Sequence, residues 1–234
     1  MIKSKKILAI TLARGGSKSV KLKNIKNING KPLIYYTIKE ALRSKYIDDY
    51  IVSTDSKKIS YIAKKFGANV PFLRAKKFST DKSTSQDALN HSLKQYEKIK
   101  NIKYDYIVSI MCTNPLKTYK DIDACIKRLH LTKADTVISV KRLYDHHPKR
   151  IKKIINGKIK NFVMKENEKE RRQDLKPKAY IRNGSIYAIS RKTLVNYRSQ
   201  IGKKSYAYIM PDNRSINIDE KIDFQLAELM LKKK

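Results

Sequence analysis

Acidic residues, cysteines and long hydrophobic runs are all scarce in this sequence of 234 residues. Two cysteines, Cys112 and Cys125, are too few for a disulfide framework, and a chain of this length buries a core without one. The apolar run at residues 6–13 is far too short to span a bilayer, and no small-residue cleavage site follows it. We therefore expect a soluble, cytoplasmic protein with reduced cysteines and no membrane partner.

The shortage of acidic residues, 21 against 54 lysines and arginines, gives a formal net charge of +33. Such a charge is often found in proteins that bind nucleic acids. Here the cations are mostly lysine, and they are spread along the whole chain instead of forming one stripe. We interpret most of the charge as composition and solvated surface, and we expect no nucleic-acid partner.

Segments of strand and helix character alternate through the first 140 residues. Short apolar runs predict buried parallel strands, and apolar residues at helical spacing predict helices. The predicted strands are 6–13, 50–54, 68–73, 104–111 and 134–140, and the predicted helices are 31–44, 55–67, 84–99 and 118–131. This alternation predicts an α/β fold with a doubly wound, mostly parallel, Rossmann-like sheet, in which ligands bind beyond the carboxyl ends of the strands.

The alternation breaks after residue 141. Asn156-Gly157 lies between two apolar runs, which predicts a hairpin, and a polar stretch follows it. Two more predicted strands, 183–190 and 205–210, and a predicted helix, 219–233, come after this stretch. We expect one domain, 1–234, in which residues 142–182 form an inserted subdomain.

The segment LARGGSKSVKLKN, residues 12–24, leaves the first predicted strand at its carboxyl end. Gly15 and Gly16 allow the backbone to approach a ligand closely, and Arg14, Lys18 and Lys23 can neutralise a polyphosphate. The segment matches neither the G-x-G-x-x-G of dinucleotide-binding sheets nor the G-x-x-x-x-G-K-[ST] of P-loops. On these residues alone, a phosphate-binding loop and an ordinary basic turn both remain open.

The same segment resembles the signature of the N-acylneuraminate (sialic acid) cytidylyltransferases, in which A-R-G-G-S-K follows a strand and K-N closes the loop. The resemblance continues in register over nearly the whole chain, through IVSTD (51–55), GANVPFLRAKKFSTDKSTS (67–85), HHPKR (146–150), RRQDLKPKAYIRNGSIYAI (171–189) and YIMPDNRSINIDEKIDF (208–224). It implies an enzyme that transfers CMP from CTP to the anomeric hydroxyl of a nine-carbon acidic sugar and releases pyrophosphate.

The resemblance also implies roles for particular residues. The residues expected to bind the nucleotide are Arg14, Gly15, Gly16, Ser17, Lys18, Lys23, Asn24, Arg74, Thr84 and Ser85. Arg14, Lys23 and Asp219 are expected to act in catalysis, because clustered cations suit the charge that develops during phosphoryl transfer. For Thr84, capping of the following helix remains an alternative.

The implied cofactor is Mg²⁺, which favours carboxylate and phosphate oxygens. Where the family has D-x-D, this chain reads INID, so Asn217 and Asp219 are the expected metal ligands and one negative charge is missing. For Asp219, capping of the last helix remains an alternative. A second D-x-D pair, Asp121 and Asp123, lies in the first turn of a predicted helix, and we interpret it as structural.

Four residues are expected to bind the sugar: Met111, Arg150, Arg172 and Tyr187. The segment MCTNPLK (111–117) replaces the Q-P-T-S-P-L-R of the family, so Met111 removes an amide donor and acceptor that would face the sugar. The resemblance implies a homodimer in which the two arginines reach the active site of the second subunit and bind the sugar carboxylate. For Tyr187, a structural position in the core remains an alternative to sugar binding.

Three other functions remain open from the sequence. The acceptor could be an eight-carbon ulosonic acid, which would keep the same chemistry. A glycosyltransferase that uses a nucleotide-sugar would also have a nucleotide-binding sheet, although no D-x-D directly follows a central strand here. A nucleic-acid-binding protein would show tight binding with a steep dependence on salt.

Overall fold

The computed structural model describes residues 2, 4–16, 20, 22–167 and 169–232. The strands of this part are β1 (Ile7–Leu12), β2 (Asn27–Ile28), β3 (Lys31–Pro32), β4 (Asp49–Ser53), β5 (Tyr106–Ile110), β6 (Thr136–Arg142), β7 (Lys152–Ile155), β8 (Lys158–Asn161), β9 (Tyr180–Ser190) and β10 (Ser205–Ile209). Its α-helices are α1 (Leu33–Leu42), α2 (Lys57–Lys65), α3 (Ser85–Lys100), α4 (Tyr119–Thr132), α5 (Arg191–Val195) and α6 (Lys221–Lys232).

The central sheet has six strands in the order β10-β6-β9-β5-β1-β4. β1 runs parallel to β4 and β5, and β10 runs parallel to β6. β9 runs antiparallel between β5 and β6 and joins the two parallel groups into one sheet. The prediction of an α/β fold with a mostly parallel sheet is confirmed.

Helices cover both faces of this sheet, as the alternation of side chains along β1 shows. Ile7 and Ala9 pack in a core that includes residues of α1, α2 and α4, whereas Leu8 and Ile10 pack in a second core with residues of α3. Because successive side chains of a strand point to opposite faces, a continuous apolar run is buried on both sides. A ligand therefore has access at the ends of the strands, not at the faces of the sheet.

The predicted strand at 68–73 is wrong as a regular strand. The segment meets the edge strand β4 and its end at only two isolated bridges, Ile51 with Asn69 and Thr54 with Leu73. Pro71 lies between these bridges and has no N–H to donate to a ladder. The first predicted helix also begins later than expected, at Leu33, because Pro32 pairs with Asn27 in the small β2–β3 ladder.

Between Arg142 and Tyr180 the chain leaves the central sheet. Within this excursion β7 and β8 form the predicted hairpin, and Asn156 and Gly157 between them have φ values of 50° and 74°. Two successive positive φ values are what a type I′ turn requires. Among the described residues, no helix has the length and apolar character needed to cross a membrane.

Candidate active site

A cavity of about 480 Å³ opens at the carboxyl ends of β1 and β5. The lining includes seven residues that the sequence predicted for substrate binding, namely Arg14, Lys23, Asn24, Arg74, Thr84, Ser85 and Met111. Ser17 and Lys18 lie outside the described residues. The fold thus brings together segments that are far apart in the sequence, at the edge where a sheet of this type binds its ligands.

The glycine loop after β1 is tied to the loop after β4. The N–H of Gly15 donates to Oδ1 of Asp55 at 2.9 Å, and Nδ2 of Asn24 donates to the carbonyl of Arg14 at 3.1 Å. A Cβ added at Gly15 would lie 3.2 Å from Cβ of Ser56, so a larger residue would push these two loops apart. Gly16 has open space around it, and its small size is not a steric requirement within the described chain.

Arg14 and Lys23 bring positive charge to the cavity from one loop. Nη1 of Arg14 lies 3.0 Å from Oδ1 of Asp81, which also lines the cavity. Nζ of Lys23 donates to the carbonyl of Ile218 at 2.9 Å and to Oδ1 of Asp219 at 3.3 Å. Lys23 therefore connects the glycine loop with the segment that carries the expected metal ligands.

Arg74 is a buried cation in the wall of the cavity, with only 4% of its surface exposed. Its Nε donates to Oγ of Ser79 at 2.9 Å, and its Nη1 donates to the carbonyl of Ser53 at 3.1 Å. Burial lowers the pKa of Arg74, and the carboxylate of Asp55 at 4.0 Å partly offsets this effect. Since a guanidinium remains protonated in proteins, Arg74 presents a positive charge in a fixed orientation.

The N-terminus of α3 forms another part of the wall. Thr84 caps this helix, because its Oγ1 accepts from the N–H of Asp87 at 3.1 Å, and it lines the cavity as well. The capping alternative is therefore correct, although it does not exclude a contact with the nucleotide. Oγ of Ser85 accepts from Nε2 of Gln200 at 2.7 Å.

Asn217 and Asp219 contact each other, with Nδ2 of Asn217 donating to Oδ2 of Asp219 at 2.5 Å. Oδ1 of Asn217 is buried and has no hydrogen-bond partner among the described residues, while the side chain of Asp219 is 66% exposed. The capping alternative for Asp219 is wrong. Asp223 instead accepts the N–H groups of Asp219 and Glu220, at 2.8 and 2.7 Å.

The donors available to a divalent cation here are one carboxylate and one amide oxygen. The described residues hold no cluster of three or more His, Cys, Asp or Glu side chains suited to a metal. Mg²⁺ usually keeps several waters and takes one or two carboxylates together with substrate phosphates. An exposed carboxylate beside a buried, unpartnered amide oxygen fits that ion once a nucleotide supplies phosphate oxygens.

A smaller cavity of about 270 Å³ shares Ser85 and Met111 with the larger one, and Tyr187 lines it. Two of the residues expected to bind the sugar therefore lie here, and Tyr187 is only partly buried. Arg150 and Arg172 line neither cavity. Nε of Arg150 lies 3.6 Å from Oε1 of Glu166, and Arg172 forms an ion pair with Asp145. A single chain does not bring these two arginines to the site.

Lys117 is a structural member of the site that the sequence reasoning did not select. Its side chain is fully buried, and its Nζ donates to Oγ1 of Thr37 and the carbonyl of Met111, both at 2.8 Å, and to the carbonyl of Asn114 at 2.5 Å. Burial lowers the pKa of Lys117 to about 7. The only sequence signal was its place in MCTNPLK, where the resembling family has arginine.

The segment held by Lys117 also supports the expected metal ligands. The carbonyl of Thr113 accepts the N–H of Ile218 at 2.7 Å, and Thr113 and Met111 both line the larger cavity. One buried lysine therefore fixes a segment that meets the nucleotide cavity on one side and residues 217–219 on the other.

The second D-x-D pair is structural, as we interpreted it. Asp121 is buried at the start of α4, where it forms a capping box with Thr118 and receives 2.7 and 2.9 Å hydrogen bonds from Arg214 and Tyr208. Asp123 accepts from Oγ of Ser44 at 2.5 Å. These contacts occupy both carboxylates away from the cavity.

Comparison with known proteins agrees with this geometry. The family model described as Cytidylyltransferase matches residues 8–228. The chain is 30% identical to post-translational flagellin modification protein B of Campylobacter coli, over 97% of this chain and 96% of that protein. It is 32% identical to the N-acylneuraminate cytidylyltransferase of Escherichia coli O18:K1:H7, over 98% of this chain but only 53% of that protein, so it spans about half the length of that relative.

The fold is also that of a solved CMP:2-keto-3-deoxy-manno-octonic acid synthetase complexed with CTP. The TM-score is 0.70 at 16% identity, and the match covers 97% of this chain and 99% of the other. At this identity the likeness concerns the fold alone. The family match over most of the chain goes further, and this chain belongs to the cytidylyltransferase family.

Proposed function

We propose that this chain transfers CMP from CTP to the anomeric hydroxyl of a nine-carbon acidic sugar, such as a sialic or legionaminic acid, and releases pyrophosphate. The observation that carries the proposal is the cavity of about 480 Å³, where seven of the expected residues meet in a member of the cytidylyltransferase family. Likeness to an N-acylneuraminate cytidylyltransferase supports the acidic acceptor.

In this reaction the sugar hydroxyl oxygen attacks the α-phosphorus, and the bond from that phosphorus to the oxygen bridging to the β-phosphate breaks. Pyrophosphate leaves with the electron pair, and the hydroxyl proton passes to solvent. Arg14 and Lys23 would balance the charge on the triphosphate, with Gly15, Gly16, Ser17 and Lys18 as the rest of the loop. Such a reaction depends on positioning and electrostatics and needs no protein nucleophile.

Asp219 and Asn217 would hold Mg²⁺, with phosphate oxygens of CTP as further ligands. When bound, the ion would neutralise part of the negative charge on the phosphates. The unpartnered Oδ1 of Asn217 supports this assignment, because a buried acceptor without a donor is costly unless something else binds it. Lys23, which contacts Asp219, would then sit between the metal ligands and the triphosphate.

The active form in this proposal is a homodimer in the cytoplasm, built through the excursion at 142–182. Ile154 of β7 lies directly opposite Ile159 of β8, and both are 73% exposed. An exposed apolar pair of this kind is suited to burial against a second copy. The two cysteines are free and buried, which fits a reducing compartment.

The test is a panel of acceptors. Purified protein is incubated with CTP, Mg²⁺ and, separately, N-acetylneuraminic, legionaminic, pseudaminic and eight-carbon ulosonic acids, and pyrophosphate and the CMP-sugar are measured. We expect turnover with at least one nine-carbon acid and none when CTP is replaced by ATP. If the eight-carbon acid gives the highest kcat/KM, that acid replaces the nine-carbon sugar as the acceptor in this proposal. No turnover with any acid would refute the proposal.

A further inference from the structure

The smaller cavity differs from the larger one in the character of its walls. Besides Ser85 and Met111, its lining has uncharged polar side chains, including Gln86 and Gln200. Arg182 is the only charged residue among the described residues that line it. A cavity with one cation and several amides and hydroxyls suits a small polyhydroxylated ligand that carries one negative charge.

A register shift in β9 places Arg182 in this cavity. Ile138 and Val140 of β6 are opposite Tyr187 and Arg182 of β9, so a step of two residues on one strand matches a step of five on the other. Residues five apart on a regular strand point to opposite faces. The shift inserts three extra residues into β9, and this odd number returns the two side chains to the same face of the sheet. Arg182 and Tyr187 accordingly both line the cavity.

The position of Gly184 within the shift is restricted to glycine. Its φ is 58°, and a Cβ there would lie 2.8 Å from Oδ1 of Asn217. The irregular part of β9 is therefore packed closely against one of the expected metal ligands. This contact links the wall that carries Arg182 to the place where the reaction would occur.

The guanidinium of Arg182 is also available for a ligand. It has no hydrogen-bond or ion-pair partner among the described residues, and the side chain is exposed at the mouth of the cavity. Arg150 and Arg172 by contrast already pair with Glu166 and Asp145. A ligand carboxylate would have to displace those acidic side chains, whereas Arg182 needs no such exchange.

We propose that Arg182 binds the carboxylate of the acidic sugar, and that it does so in the chain that also binds the nucleotide. The planar guanidinium matches a carboxylate with two parallel hydrogen bonds. Gln200, fixed by its bond to Ser85, would face the sugar hydroxyls between the carboxylate and the nucleotide. The inference rests on the proposed function and adds the residue that selects an acid.

The experiment compares two substrates in several variants. The substrates are the acid that the wild-type protein uses best and the carboxamide of the same sugar, which keeps its shape and loses its charge. The variants are Arg182→Gln, Arg182→Lys, Arg150→Gln and Arg172→Gln. Arg171→Gln is the matched control, since Arg171 is an exposed arginine paired with Asp174 and lies outside both cavities.

We expect Arg182→Gln to raise KM for the acid about tenfold, because the variant loses charge-assisted hydrogen bonds to a ligand that itself covers the guanidinium from solvent. The KM for CTP should remain unchanged, and the preference for the acid over the carboxamide should largely disappear. Arg182→Lys should restore part of the preference, and Arg171→Gln should behave like the wild type. Circular dichroism of each variant checks that it is folded.

An unchanged preference for the acid in Arg182→Gln would overturn the inference while leaving the proposed function intact. Loss of the preference in Arg150→Gln or Arg172→Gln instead would overturn it in favour of a contribution from a second subunit. No turnover by the wild-type protein with any acid would refute the proposed function, and this inference with it.

Discussion

Basic residues at the cavity and in the excursion have opposite surroundings. Arg74, in the cavity wall, and Lys117, which holds the adjoining segment, are 4% and 1% exposed, and neutral oxygens accept most of their hydrogen bonds. In the excursion, the side chains of Arg150 and Arg172 are 39% and 55% exposed and pair with carboxylates. A buried cation is costly, whereas an exposed ion pair contributes only about 0–1 kcal/mol. In a chain this basic, burial therefore distinguishes the charges that shape the site from those that cover the surface.

The largest effect is expected at Lys23, where a cation lies between the nucleotide cavity and Asp219. Lys23→Gln should lower kcat/KM by about 100-fold or more, the usual loss when one group that stabilises transition-state charge is removed. Steady-state kinetics with CTP and the preferred acid measure this. The matched control is Lys153→Gln, a lysine exposed in the excursion. Equal losses of kcat/KM in Lys23→Gln and Lys153→Gln would show that basic residues of the cavity and of the excursion do not differ in their contribution to catalysis.

An intermediate effect is expected at Lys117, and it depends on pH. Its pKa in the folded chain, about 7, lies below the ordinary value of 10.5. The unfolded chain therefore binds more protons between these two pH values, and the free energy of unfolding gains a contribution that rises with pH across that window. The titratable groups that oppose this lowering of the pKa of Lys117 are Cys112, Glu40 and Asp121, and all three are buried.

Lys117→Met should abolish this contribution. We expect the urea midpoint of the wild type, relative to that of the variant, to increase between pH 7 and pH 9. Lys153→Met should run parallel to the wild type over the same range, because its side chain is exposed in both states. Parallel curves for Lys117→Met and the wild type would show that burial does not lower the pKa of Lys117 in the folded protein.

The smallest effect on folding is expected in the excursion. The double variant Ile154→Ser, Ile159→Ser should change the free energy of unfolding of one chain by less than about 0.5 kcal/mol, because both side chains are exposed. Light scattering after size exclusion should nevertheless show a monomer in place of the dimer. The control is the corresponding double variant of Lys153 and Lys160, which lie opposite each other on the other face of the hairpin. It should leave the measured mass of the dimer unchanged. A dimer in both variants would place the interface elsewhere.

Local patterns in the sequence predicted most of the elements, because buried parallel strands and amphipathic helices are encoded in consecutive residues. The prediction of a regular strand at 68–73 was wrong because strand pairing there depends on how the segment meets β4. Pro71 limits that pairing to two isolated bridges. Periodicity also did not reveal that β9 runs antiparallel between β5 and β6, which is a matter of long-range pairing.

Motifs predicted the residues around the larger cavity but not all of their surroundings. The glycine loop and Arg74 lie in sequence segments that match the family signature, and the structure brings Arg14 of that loop and Arg74 into one cavity. Lys117 and Arg182 were not selected, because in a chain with so many cations no local signal tells a buried lysine or an unpaired arginine from the others. Burial and pairing of this kind come from residues distant in the sequence, such as Thr37 for Lys117.

The position of β9 also governs when the sheet can close during synthesis. β5 and β6 are separated by β9, which the ribosome delivers only after the whole excursion between Arg142 and Tyr180. Until residue 190 has emerged, the facing edges of β5 and β6 have no partner strand between them. Unpaired edges invite pairing with other chains. The nascent chain therefore passes through a stage in which β5 presents an open edge and β6 has no partner strand, since β10 also follows β9, and a chain truncated before residue 180 would remain there.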